Sequence, residues 1–128
     1  MIKSTAVLEN AYNDSQNVTA EFNCNILNVL NSIAATDFNL SSFRHIAFYN
    51  DKEHRIEMYL EAEKDMEISS PYFEKKIFIQ KGERIHTENS HKFSREDIYK
   101  MADDAGLRTV EIFSDAKDWF ALAHYYKK

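Results

Sequence analysis

Two adjacent stretches with different hydrophobic periods restrict the fold more than any other feature of the chain. Val18, Phe22, Ile26, Leu30 and Ile33 recur at helical spacing, and Leu27 and Val29 widen the stripe. This spacing predicts one long helix. From Arg55 onward, Ile56, Met58, Leu60 and Ala62 alternate with Arg55, Glu57, Tyr59 and Glu61. That is the two-residue period of a half-buried strand.

Local signals extend the pattern in both directions. Thr5 is a candidate cap for a short helical turn through Leu8 and Tyr12, and Asn13-Asp14-Ser15 offers a break and a new cap. A further capped turn is expected at Asn39-Leu40-Ser41-Ser42-Phe43. Arg44 to Tyr49 reads as a short aromatic strand, joined to the alternating one by the polar turn Asn50-Asp51-Lys52-Glu53-His54. The charged run Glu61 to Glu67 reads as a solvated edge or turn, and Ser69-Ser70-Pro71 breaks the chain again. Ile77-Phe78-Ile79 then reads as a third strand, and Ile85 onward is extended after a turn at Lys81-Gly82-Glu83. Strands joined by short polar turns predict an antiparallel meander. In the last third, Ser94 and Asp97 form a capping-box pattern ahead of Ile98, Met101 and Ala105, and Gly106 fits a helix stop. Leu107 to Phe113 and Trp119 to Tyr126 read as two strands around Ser114 to Asp118. The expected class is α+β: N-terminal helices, an antiparallel meander, then a helix and an antiparallel strand pair.

Composition narrows the function. A formal charge of -5 disfavours a nucleic-acid backbone as partner. No apolar run approaches the roughly 20 residues of a membrane helix, and no secretion pattern opens the chain. The lone Cys24, expected as a small buried thiol, has no partner for an internal disulfide, so a cytoplasmic setting is expected. The sequons at Asn17 and Asn39 then read as chance. Only two glycines occur, and Gly82 and Gly106 stand far apart. Backbone cradles for nucleotides need glycines clustered at a strand-to-helix turn, and none is present.

The histidines fit no metal spacing: there is no HExxH, and His86-Thr87-Glu88 lacks the PCxxC that a zinc deaminase requires. Ser90 and His91 are neighbours on an extended segment, so their side chains point to opposite faces and do not form a catalytic pair.

The informative segment is Ile85-His86-Thr87-Glu88-Asn89-Ser90, followed by Lys92-Phe93. It resembles the IHTENS-x-KF signature of the histidine-specific α-N-methyltransferases of ergothioneine biosynthesis. Further segments agree with that family in order and spacing: Ala11-Tyr12-Asn13-Asp14, Val18 to Asn23, Phe43-Arg44-His45, Arg55 to Met58 and Trp119 to Leu122. Two positions depart from it, His91 where tyrosine is frequent and Cys24 where a basic residue is common.

The resemblance implies transfer of methyl groups from S-adenosylmethionine (SAM) to the α-amino nitrogen of L-histidine, giving hercynine. It implies that residues 1–92 are the substrate-recognition part. Residues 93–128 would be the last helix and strand pair of a Rossmann-like sheet, with the SAM-binding half absent and supplied in cis or in trans. It assigns Glu88 and Ser90 to the imidazole, Tyr12 to the amino-acid head and Met58 to a pocket wall. The chemistry of the residues suits those roles. A neutral imidazole has one donor and one acceptor nitrogen, which a carboxylate and a hydroxyl satisfy together. Glu88 and Ser90 are two apart and share one face of an extended segment. Taken singly, each residue also has a plain structural reading: Glu88 a surface ion pair, Ser90 a turn residue, Tyr12 and Met58 core.

No residue here is a convincing base for the amine, so the resemblance implies a positioning role and no catalytic residue. The chain alone is expected to be inactive and to bind no SAM. The alternative is a stand-alone, non-catalytic module for histidine or a similar amino acid. Its last two strands, without neighbours, are expected either to fold onto the meander or to be buried in a homodimer.

Overall fold

The computed structural model describes residues 1–128. In chain order it contains α1 (Thr5–Tyr12), α2 (Val18–Ala34), a 3-10 turn (Leu40–Ser42), β1 (Phe43–Asn50), β2 (Arg55–Ala62), β3 (Met66–Ile68), β4 (Ile77–Ile79), β5 (Arg84–His91), α3 (Arg95–Asp104), β6 (Leu107–Ser114) and β7 (Ala121–Lys127). Every strand pair is antiparallel, so the class is α+β as expected. No helix is long and apolar enough to cross a membrane.

The central sheet has the order β1-β2-β5. Asn50 Oδ1 accepts from the backbone N–H groups of Lys52 and Glu53 at 3.1 and 3.2 Å, which closes the β1–β2 turn, and His54 at φ 48° completes it. The alternation of β2 has a sharp consequence. Ile56, Met58, Leu60 and Ala62 are each at most 1% exposed and lie against α1 and α2.

The meander is not continuous. β3 and β4 form a separate hairpin inserted between β2 and β5. Ile68 and Ile79 are buried in the Leu27–Phe43–Leu60 cluster, and Asp37 holds the outgoing chain by accepting from Ser69 N at 2.7 Å. Burial of these two apolar side chains therefore draws the third expected strand out of the sheet. The charged run is not a free edge either. Glu61 is half-buried on β2 between Arg44 and Arg84, Ala62 is core, and Met66 already belongs to β3.

The long helix forms where expected but turns a different face inward. Asn23 and Leu27 are buried, with Cys24 and Leu30 packed beside Leu27, whereas Phe22 is 64% and Ile33 71% exposed, and Val18, Ile26 and Val29 are exposed too. One residue of phase is about 100° around a helix, so α2 carries two apolar faces and the fold covers one. Asp14 caps it by accepting from the N–H groups of Val18 and Thr19, both at 2.9 Å, which holds its carboxyl below the usual range. Its other end turns at Ala35, left-handed at φ 46° with no glycine to take the position. At α1, Ser4 rather than Thr5 occupies the cap.

The C-terminal segment starts with the expected capping box at Ser94 and Asp97. The buried pair on α3 is Ile98 and Ala102, so Met101 and Ala105 lie off the packed face. β7 begins at Ala121 rather than Trp119. Asp115 accepts from Trp119 N at 2.6 Å and Ser114 Oγ donates to Phe120 O at 2.7 Å, which keeps both aromatic residues in the turn. β6 and β7 pair only with each other, not with the meander, and Trp119, Phe120 and Leu122 stay exposed.

On the sheet face away from the helices, Glu57 is 6% exposed and fully bonded. Tyr59 Oη donates to it at 2.7 Å, Asn50 Nδ2 at 2.9 Å and Arg55 Nε at 3.0 Å. These donors, Tyr59 first, lower its pKa from 4.5 to about 2. A carboxylate depressed in this way stabilises the fold fully above its ordinary pKa and loses that contribution as pH falls through the folded value. The thermal midpoint of the wild-type chain should therefore exceed that of Glu57→Gln above about pH 4.5 and converge on it near pH 2. A gap that persists undiminished at the acid end would contradict this.

Candidate functional site

The site is assembled by the docking of α1 and α2 on the inner face of the sheet. Glu9 accepts from Tyr49 N at 3.0 Å, and Asn13 Nδ2 donates to the Ala47 carbonyl at 3.0 Å, which fixes the middle and the C-terminal end of α1 to β1. His45 links the two helices. Its Nδ1 is 2.9 Å from the Asn23 amide nitrogen, a donor only, and its Nε2 is 3.0 Å from the Tyr12 carbonyl, an acceptor only. These partners fix a neutral ring with the proton on Nε2. Asn23 also donates to the Tyr59 carbonyl at 3.1 Å, which explains why a polar residue is buried in α2.

β5 delivers the polar side chains through a register change. Leu60 faces Ile85 and Tyr59 faces His86, but Met58 faces Glu88, so Thr87 is an extra residue. Thr87 Oγ1 donates to the Met58 carbonyl at 2.9 Å and stabilises the bulge. Strict alternation from the inward Ile85 would turn Thr87 and Asn89 toward the helices and send Glu88 and Ser90 to the outer face. The bulge reverses that parity. Glu88 and Ser90 therefore stand on the helix side, across from Met58 and Ile56, while His86 stacks on Tyr59 outside at 4.6 Å.

The structure brings Tyr12 and Ser90 into direct contact, with Tyr12 Oη 2.7 Å from Ser90 Oγ. Met58 is buried in the same apolar cluster that Tyr12 packs on. Glu88 is exposed and lines a groove with Phe22, Ile26, Val29 and Thr87, so the uncovered face of α2 runs beside its carboxylate.

Sequence reasoning missed a third member of the hydroxyl pair. Lys92 Nζ donates to Tyr12 Oη at 2.6 Å and to Ser90 Oγ at 2.8 Å, and lies 4.6 Å from the Tyr12 ring centre. The available signal was spacing, since Glu88, Ser90 and Lys92 follow one another by two and share a face. His45 and Asn23 carried no such signal, because they bond each other and the Tyr12 and Tyr59 carbonyls, all distant in sequence.

Two further features bound the chemistry. Gly82 and Gly106 both have positive φ, 83° and 69°, and each closes a turn with nothing within 4 Å of where a Cβ would sit. Neither glycine marks a close approach of the backbone to another group. Cys24 is half-buried rather than enclosed, and burial pushes its thiol pKa up, away from the reactive thiolate.

Comparison with known proteins agrees with the motif. The family model described as histidine-specific, SAM-dependent methyltransferase matches residues 1–127. The histidine N-alpha-methyltransferase of Mycolicibacterium smegmatis is 36% identical over 123 residues, which cover 96% of this chain and 38% of that protein. The protein of the same name from Mycobacterium tuberculosis is 33% identical over 123 residues, again 96% of this chain and 38% of the relative. The chain thus spans well under half the length of the curated relatives it matches.

Proposed function

Since the chain belongs to the SAM-dependent, histidine-specific methyltransferase family, we propose that it is the C-terminal, substrate-gripping portion of an enzyme that methylates the α-amino group of L-histidine. The observation that carries this reading is the bulge at Thr87, which sets Glu88, Ser90 and Met58 on one face beside Tyr12. Glu88 accepts the imidazole N–H, Ser90 bonds the second ring nitrogen, Tyr12 serves the amino-acid head, and Met58 forms the apolar floor. SAM, when bound to the complete enzyme, supplies an electrophilic methyl group. What this chain contributes is orientation: contacts at the ring hold the distant amine where transfer occurs, a use of remote binding energy.

Residues 1–92 form the recognition part in this reading, and α3 with β6 and β7 completes the edge of a Rossmann-like sheet whose SAM-binding half lies in the remainder of the protein. The exposed face of α2, the exposed aromatic residues of the β6–β7 turn and the unpaired outer edge of β5 support that division. Alone, the chain binds no SAM. Its exposed surfaces are expected to pair two copies, so light scattering should give twice the 15.0 kDa chain mass, and a strictly monomeric mass at high concentration would count against it. A non-catalytic module for amino acids is the alternative outcome, revealed by histidine binding without methyl transfer once a SAM-binding half is supplied.

Glu88 provides the decisive variant. In the longer protein, Glu88→Ala should raise the histidine requirement roughly tenfold to a hundredfold, the worth of one buried hydrogen bond to a charged acceptor. SAM dependence should be unchanged. An unaltered histidine requirement would return Glu88 to a surface charge.

A further inference from the structure

Lys92 lies within the motif, yet the functional reading gives it no task. Its ammonium donates three hydrogen bonds and accepts none. One goes to Tyr12 Oη at 2.6 Å and one to Ser90 Oγ at 2.8 Å. Lys92 is half-buried, and its backbone N–H is fixed on the His54 carbonyl at 2.7 Å. Tyr12 and Ser90 also share a bond of 2.7 Å. A phenol is the stronger acid and an aliphatic hydroxyl the better acceptor, so Tyr12 donates and Ser90 accepts. Ser90 Oγ then receives two protons, one from Lys92 and one from Tyr12, which fills both of its lone pairs. Its own proton is left to point outward, and Ser90 acts toward a ligand only as a donor.

Two residues along the same face, about 7 Å away at ordinary strand rise, Glu88 offers only acceptor oxygens. A carboxylate by itself favours a cationic ring. The ammonium and the donor-only hydroxyl oppose that preference. We infer that Lys92 is a specificity-determining residue that polarises Ser90 and makes the site take a neutral imidazole, with one N–H and one free lone pair, in preference to imidazolium. The inference rests on the histidine-pocket reading above. An imidazolium would set a second N–H against the Ser90 proton with a positive charge behind it.

Other ionisable groups surround this cluster. The segment before α1 brings Lys3 and the Met1 amine, the last pushed down by burial and then by Lys3 and Lys92. β1 brings His45, with both ring nitrogens engaged, β5 brings Glu88, and His54, His91 and Asp97 flank the backbone of Lys92. All are common to wild type and the variants below, so differences between the proteins report on Lys92 and Ser90.

The test is calorimetry of the chain with L-histidine between about pH 5 and pH 7.5, a window around the free imidazole pKa of about 6.5. Wild-type affinity should fall by about tenfold per pH unit below that pKa as neutral ring is depleted. Lys92→Met should flatten the acid limb, and Lys92→Arg, which keeps the charge and the donors, should retain it. Ser90→Ala should flatten it from the hydroxyl side and stands in should Lys92→Met fail to fold. An acid limb as steep in Lys92→Met or in Ser90→Ala as in wild type overturns the inference and leaves the histidine pocket standing. Absence of histidine binding to the wild-type chain at every pH overturns the pocket reading and this inference with it.

Discussion

A single extra residue in β5 decides what this chain presents to a ligand. The Thr87 bulge rests on one hydrogen bond, from its hydroxyl to the Met58 carbonyl at 2.9 Å, and it divides the strand into two halves of opposite parity. Below it, Ile85 joins the apolar cluster around Leu27 and Leu60. Above it, the inward positions pass to Glu88, Ser90 and Lys92, and the last two meet Tyr12 at the end of α1. A strand that must close a core at one end and line a polar site at the other needs such a parity change, and bulges are the usual device.

The helices complete the arrangement because each is held by bonds as well as by packing. His45 ties the α1 carbonyl end to Asn23 of α2, and Asn23 in turn holds the Tyr59 carbonyl one residue beyond the bulge. Position along α1 is thereby linked to position along β2 and β5. The uncovered side of α2, with Phe22, Ile26 and Val29, lies beside Glu88 rather than away from it.

Much of the fold was legible in the sequence because it depends on local signals: the alternation of β2, the Asn50 turn, the Asp14 break and the Ser94 capping box. What was not legible depends on partners distant in the chain. Helical spacing shows that α2 is amphipathic, but only the sheet beneath it selects Asn23 and Leu27 over Phe22 and Ile26 as the inward face. Ile77 to Ile79 has strand character in any context, and the burial of Ile68 and Ile79 decides that it pairs with β3. Within the site, the shared face of Glu88 and Ser90 followed from spacing, but which face it was required the bulge. Lys92 follows at the same two-residue spacing, but spacing alone does not show that its ammonium turns back onto Tyr12 and Ser90.

The central claim is that the inner end of β5 is a histidine-binding surface and that SAM is held elsewhere. Amide chemical shifts of the isotopically labelled chain, followed during titration with L-histidine and separately with SAM, test this most directly. The expected result is that histidine perturbs a cluster at Tyr12, Thr87 to Ser90 and Lys92, while SAM perturbs no amide in a saturable way. Histidine shifts absent from that cluster, or saturable binding of SAM by this chain, would contradict the claim.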